Sequence, residues 1–204
     1  MTPLIHKKKI NLDLHRLTRD ARRINTKINK SFNNDIAHSK SYQAELAKQL
    51  EGVPYSSKYH EHYNVFTFPY IDIHALYREA CLFFNEINEY PQPYCVHGWL
   101  NYLEKDDSIP WHGHWGALSN IHETYVCSYY INAEPSITVH RFPDEEISIN
   151  CENNTMSVYR DIGDKHMVPP WQGDVPRISI SMDFVPLKYV QCTPFVLNTW
   201  MPVI

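Results

Sequence analysis

The chain has 204 residues, 43% of them apolar, and 19 Lys and Arg against 23 Asp and Glu give it a net charge of −4. That is the composition of one well-cored domain, and it excludes a disordered or fibrous protein. No stretch approaches the roughly 20 uninterrupted apolar residues that cross a bilayer, and the opening residues Met1 to Lys9 lack an apolar core before any cleavage site, so a cytoplasmic protein is expected.

The charge is unevenly spread. Residues 1–50 carry 11 Lys and Arg against 4 Asp and Glu, which leaves 8 against 19 in the remainder. A basic end of this kind attracts nucleic acid or an acidic partner, or is the solvated face of a helix docked on an acidic domain. The solvated face is the plainer reading. Five cysteines (Cys81, Cys95, Cys127, Cys151 and Cys192) form an odd set with no Cys-x-x-Cys pair. They are read as reduced, buried thiols, not as a disulfide framework or a thiolate zinc site.

In chain order, Leu14, Leu17, Ala21, Ile24 and Ile28 recur at steps of three and four, which predicts a helix over 12–30 with one buried stripe. A short helix is expected near 41–50, where Tyr42, Leu46 and Leu50 share a face before Gly52 and Pro54. After Pro69, the residues Ile73, Leu76, Tyr77, Ala80, Phe84 and Ile87 keep helical spacing until Pro91 and Pro93 end it. From Tyr94 the texture changes to short runs rich in Val, Ile, Tyr and Thr between turn residues. Strands are expected near 94–104, 108–113, 122–132, 136–141, 146–150, 155–160, 164–168 and 176–185. The expected organisation is a helical N-terminal segment, 1–90, packed on a β core, 91–204, that is a closed or double-sheet fold such as a jelly roll.

Chemistry concentrates in the β region. In Trp111-His112-Gly113-His114-Trp115, the two histidines are two residues apart, so an extended backbone presents both imidazoles to one point. A metal is the economical use of that, and neutral imidazole suits iron, zinc, copper or nickel. His166, in Gly163-Asp164-Lys165-His166, is a third ligand candidate on a neighbouring strand. Eleven residues later, Arg177, Ser179, Ser181 and Asp183 alternate with Ile178, Ile180, Met182 and Phe184, so one face packs and the other lines a polar cavity. A guanidinium there, with a hydroxyl two residues on, suits a carboxylate ligand.

An early His-x-His, a late His and an Arg-x-Ser about ten residues beyond it resemble the double-stranded β-helix of the 2-oxoglutarate and Fe(II)-dependent oxygenases. The likeness extends over roughly residues 94–186, including Trp99-Leu100-Asn101-Tyr102. It is similar to prolyl-hydroxylase-like members and to short oxygenases of phages and marine bacteria with His-x-His in place of His-x-Asp. The resemblance implies a mainly β, cupin-like jelly roll with N-terminal helices. It implies Fe(II) on His112, His114 and His166, and 2-oxoglutarate on Arg177 with help from Ser179 and Tyr102. It also implies hydroxylation of a C–H bond, on a peptide or an amino acid by analogy with the fold alone, with release of succinate and carbon dioxide. The partners so implied are 2-oxoglutarate, O2 and a primary substrate that includes proteins among its options; nucleic acid is not favoured.

The usual triad is two histidines and a carboxylate, so Glu123 and Asp164 stand as candidates to replace or supplement His114. A three-histidine cupin, such as a thiol dioxygenase or an isomerase, and a non-catalytic binding module are the competing readings. His60-Glu61-His62 has no arginine strand at matching distance and is read as local structure, as are His97, His122 and His140. Trp111, Trp115 and Trp171 are read as an apolar wall that keeps water from the metal, and Trp99 as core.

Overall fold

A computed structural model describes residues 5–35, 53–114, 123–142, 145–190 and 200–204. The helix expected near 41–50, together with Trp115, His122 and Cys192, lies outside the described residues. Among the described residues there are ten strands: β1 (His6–Lys9), β2 (Tyr94–Leu103), β3 (Ile109–His112), β4 (Tyr125–Asn132), β5 (Ile137–Arg141), β6 (Glu146–Asn150), β7 (Thr155–Arg160), β8 (Lys165–Val168), β9 (Arg177–Pro186) and β10 (Met201–Pro202). Helices are α1 (Leu14–Asp35), α2 (Tyr55–Lys58), α3 (Ile71–Ile87) and α4 (Leu187–Val190). Each of the eight expected strands is found within a few residues of its expected place.

The strands form two sheets, one in the order β1-β7-β4-β9-β2-β10 and the other β3-β8-β5-β6, and every pairing is antiparallel. From β2 to β9 the chain passes back and forth between the sheets, which makes a double-stranded β-helix. Alternation along each strand then divides the larger sheet chemically. Its outer face carries Val96, Leu100, Cys127, Tyr129, Met156, Val158, Ile178, Ile180, Met182 and Phe184, all buried in one cluster with the helices.

Helix α1 is capped by Asp13, whose side chain accepts from the Arg16 amide at 3.1 Å, and it buries Leu17, Ala21, Ile24 and Ile28. Helix α3 buries Ile73, Leu76, Tyr77, Ala80 and Phe84, and the Phe84 ring stacks on Phe184 of β9 at 4.3 Å. The 3-10 turn Val65–Thr67 also presses on this face. A Cβ at Gly98 would lie 2.6 Å from the Phe66 ring, so only glycine fits there. Residues 6–9 pair with β7 as an edge strand, so the first part of the chain contributes to the sheet as well as covering it. Among the described residues, no helix is long and apolar enough to cross a membrane.

Candidate metal centre

The inner faces of the two sheets meet over polar side chains. On β8, His166 sits directly across from His112 of β3 on one side and from His140 of β5 on the other, so three imidazoles lie abreast on one face of the smaller sheet. The turn that returns the chain into β8 uses Gly163 at φ 86°, a left-handed conformation glycine adopts without strain, and the Asp161 carboxylate accepts its amide at 2.9 Å. His114, two residues beyond His112, swings to the same point. One ligand nitrogen from each of His112, His114 and His166 lies within 4.8 Å of the other two.

Hydrogen bonds settle which nitrogen of two of these rings is free. His112 Nδ1 lies 2.9 Å from the Pro110 carbonyl oxygen, which can only accept, so Nδ1 carries the proton and Nε2 keeps its lone pair. His114 Nδ1 lies 2.7 Å from Asp183 Oδ1 and donates to it. The far nitrogen of His114 approaches His166 Nε2 at 3.4 Å. With metal–nitrogen bonds of about 2.1 Å, two imidazoles on one ion stand at about that spacing, so the donor set fits a borderline divalent cation.

Burial, then the neighbouring His114, pushes His112 down to about 4. Burial, followed by His112, His114 and His140, holds His166 well below the usual histidine range. Both are therefore neutral imidazoles at physiological pH, with a lone pair free to donate. His114 behaves oppositely. Burial is the largest single influence and opposes its protonation, but the carboxylates of Asp183, Asp161 and Asp164 together outweigh that and raise its pKa.

At the other end of the inner face of β9, Arg177 is 1% exposed. Its Nε donates to Ser136 Oγ at 2.8 Å, Nη1 to Ser179 Oγ at 3.1 Å and Nη2 to Cys151 Sγ at 3.5 Å. All three partners are neutral, and no carboxylate pairs with Arg177 among the described residues. A buried guanidinium without a counter-ion is costly. Tyr130 and Ser157, hydrogen-bonded at 3.3 Å, share this inner face through the register of β4, β7 and β9.

Tyr102 is not part of this cavity. It stands across from Ile178, whereas Leu103 and Asn101 stand across from Arg177 and Ser179. A one-residue step reverses the face, so Tyr102 packs against the outer core, and Tyr130 is the tyrosine on the Arg177 side. Glu123 is likewise elsewhere, in an ion pair with Lys188 at 2.5 Å and hydrogen-bonded to Gln92 and Tyr189. Asp164 is buried near the site but engages His140 Nδ1 at 3.3 Å. His140, Asp164 and His166 form a second tight group, so His140 is more than local structure.

His97 donates from Nε2 to the Tyr63 carbonyl at 2.8 Å, and His60 packs on Trp99. Trp99 belongs to the centre as well as to the core, because its indole stacks on His114 with ring centroids 5.7 Å apart. Trp111 lies under the Arg141 guanidinium at 4.0 Å, and Trp171 is buried with Nε1 donating to the Val175 carbonyl at 2.7 Å. The alternation after Arg177 puts Asp183 on the polar face of its strand, but its bond to His114 has no signature in the sequence. Tyr130, Ser136 and Cys151 were not foreseen as parts of the site, and no motif marks them.

No family model and no curated protein matches the chain. Solved structures similar to it include an oxidoreductase of the 2OG-Fe(II) oxygenase family from Burkholderia pseudomallei, 16% identical over 55% of this chain and 55% of that one, with a TM-score of 0.46. A Pseudomonas putida prolyl-4-hydroxylase is 14% identical over 91% of this chain and 86% of its own, with a TM-score of 0.47. HygX from Streptomyces hygroscopicus, solved with nickel and 2-oxoglutarate bound, is 12% identical over 56% and 67%, with a TM-score of 0.43.

Proposed function

We propose that this chain is an Fe(II)- and 2-oxoglutarate-dependent oxygenase that hydroxylates a peptidyl or amino-acid C–H bond. The observation that carries the proposal is a pair of complementary needs on the facing inner sides of the two sheets: three convergent imidazoles suited to a dication, and a buried arginine suited to a carboxylate. His112, His114 and His166 hold the ion. Arg177 and Ser179 take the distal carboxylate of the keto-acid.

When bound, the ferrous ion and keto-acid supply oxidative decarboxylation of 2-oxoglutarate, with one oxygen atom of O2 ending in succinate and the other in the substrate. The chain's own contribution is geometric and electrostatic. It fixes three imidazole donors, anchors the co-substrate at its far end and lines the metal with the Trp99 indole.

The test is turnover without a primary substrate, supplying Fe(II), 2-oxoglutarate and O2 and measuring succinate. Slow succinate formation that is lost in His166→Ala and in Arg177→Gln is expected. Metal binding without any 2-oxoglutarate response would instead favour a three-histidine cupin.

A further inference from the structure

Asp183 is the unexplained group in this site. It is 8% exposed, and among the described residues no lysine or arginine pairs with it. The side-chain partner it has is His114, at 2.7 Å. Its place on β9 is set by register, across from His97 of β2 and Val126 of β4, so its position is independent of the loop that carries His114. The other nearby carboxylates are engaged: Asp164 with His140 and Asp161 with the Gly163 amide. Trp99 stacks against the face of the His114 ring, so the ring is held through one edge and one face while the remaining nitrogen points at His166.

We propose that Asp183 is the anionic component of the metal centre, acting through His114 as a carboxylate–imidazole ligand in place of a directly bound carboxylate. The inference rests on the metal-centre reading above. Three neutral imidazoles alone leave both charges of a dication uncompensated in a buried site. A carboxylate accepting the Nδ1 proton of a ligating histidine returns part of that charge, fixes the tautomer with Nε2 free and raises the donor strength of the ring. Asp183 is thus a positioning residue: it touches neither metal nor substrate.

The experiment is a Co(II) titration of the full chain against a competing chelator, read by ligand-field absorption, in wild type, Asp183→Asn and Asp183→Glu. The asparagine variant is expected to bind 10- to 100-fold more weakly with a shifted spectrum, and the glutamate variant to recover much of the loss. Wild type that binds no Co(II) sinks the metal centre itself. Wild-type binding with affinity and spectrum unchanged in Asp183→Asn overturns the role of Asp183 alone. A second measurement needs no variant. In the Zn(II)-loaded wild type, NMR is expected to show His114 metallated at Nε2, with a solvent-protected Nδ1 proton shifted downfield. Metal on Nδ1 would overturn the inference.

Discussion

Replacing Arg177 with methionine separates a structural cation from a ligand anchor. The guanidinium is buried against two hydroxyls and a thiol, with no carboxylate to offset its desolvation among the described residues. Hydrogen bonds from a charged donor contribute about 1.5–3 kcal/mol each, and the bond to sulfur at 3.5 Å is the weakest. Against them stands an effective penalty of several kcal/mol for burying the ion. Exchange of a buried ion pair for apolar side chains of similar volume is typically neutral to stabilising by about 1–4 kcal/mol, and a buried ion with no counter-ion has no partner charge to repay its desolvation. Arg177→Met is therefore expected to leave the ligand-free protein at least as stable as wild type, with a Tm unchanged or raised by a few degrees, since about 1 kcal/mol moves a domain of this size by about 2–4 °C.

The ligand response is expected to go the other way. At 100 times Kd, a ligand specific for the folded state adds about 2.7 kcal/mol, so Zn(II)-loaded wild type should gain several degrees with 2-oxoglutarate while Arg177→Met gains none. Thermal unfolding by circular dichroism, with and without 2-oxoglutarate, reads both effects. A variant destabilised by about 3 kcal/mol or more, with its ligand shift intact, would refute the reasoning and make Arg177 a structural cation.

Three further outcomes follow from the geometry. His166→Ala should abolish divalent-metal binding by calorimetry, whereas His97→Ala, which removes a bond to the Tyr63 carbonyl and ring contacts with Trp99 and Trp200 but no candidate ligand, should retain it. His112 titrates at about 4 in the folded chain and at about 6.5 unfolded; the unfolded chain binds more protons between those values, so stability should fall as pH drops from 6.5 towards 4. His166, also held low, adds in the same direction, and urea midpoints across that window check the sign. Phe84→Ala, which removes a fully buried ring stacked on Phe184, should cost about 3–5 kcal/mol in chemical denaturation.

Much of this architecture was legible because two periodicities dominate. Leu17, Ala21, Ile24 and Ile28 mark a helix facing a core, and the alternation of Arg177, Ser179, Ser181 and Asp183 with Ile178, Ile180, Met182 and Phe184 gives β9 both its faces. The same alternation exposes the error at Tyr102. The family resemblance placed it near the arginine, but register with β9 puts Leu103 across from Arg177 and turns Tyr102 outward. Register depends on pairing between strands far apart in sequence, which local pattern does not specify. The strand His6–Lys9, four residues long with three lysines, carries no apolar alternation and was missed for that reason. His140 looked like any histidine in a strand-like run; only the order β3-β8-β5 brings it beside His166. Tyr130, Ser136 and Cys151 gather around Arg177 from separate strands and connections, and no spacing in one segment records that.

On the proposed reading, a ferrous ion sits on the histidines and the keto-acid lies between that ion and Arg177. Anaerobic titration of the metal-free protein with Fe(II) and 2-oxoglutarate separates this from a metal site of another kind. A visible charge-transfer band of a keto-acid chelated to Fe(II) is expected in wild type, weakened in Arg177→Gln and absent in His166→Ala. Fe(II) binding with no such band in wild type would rule the proposed oxygenase out.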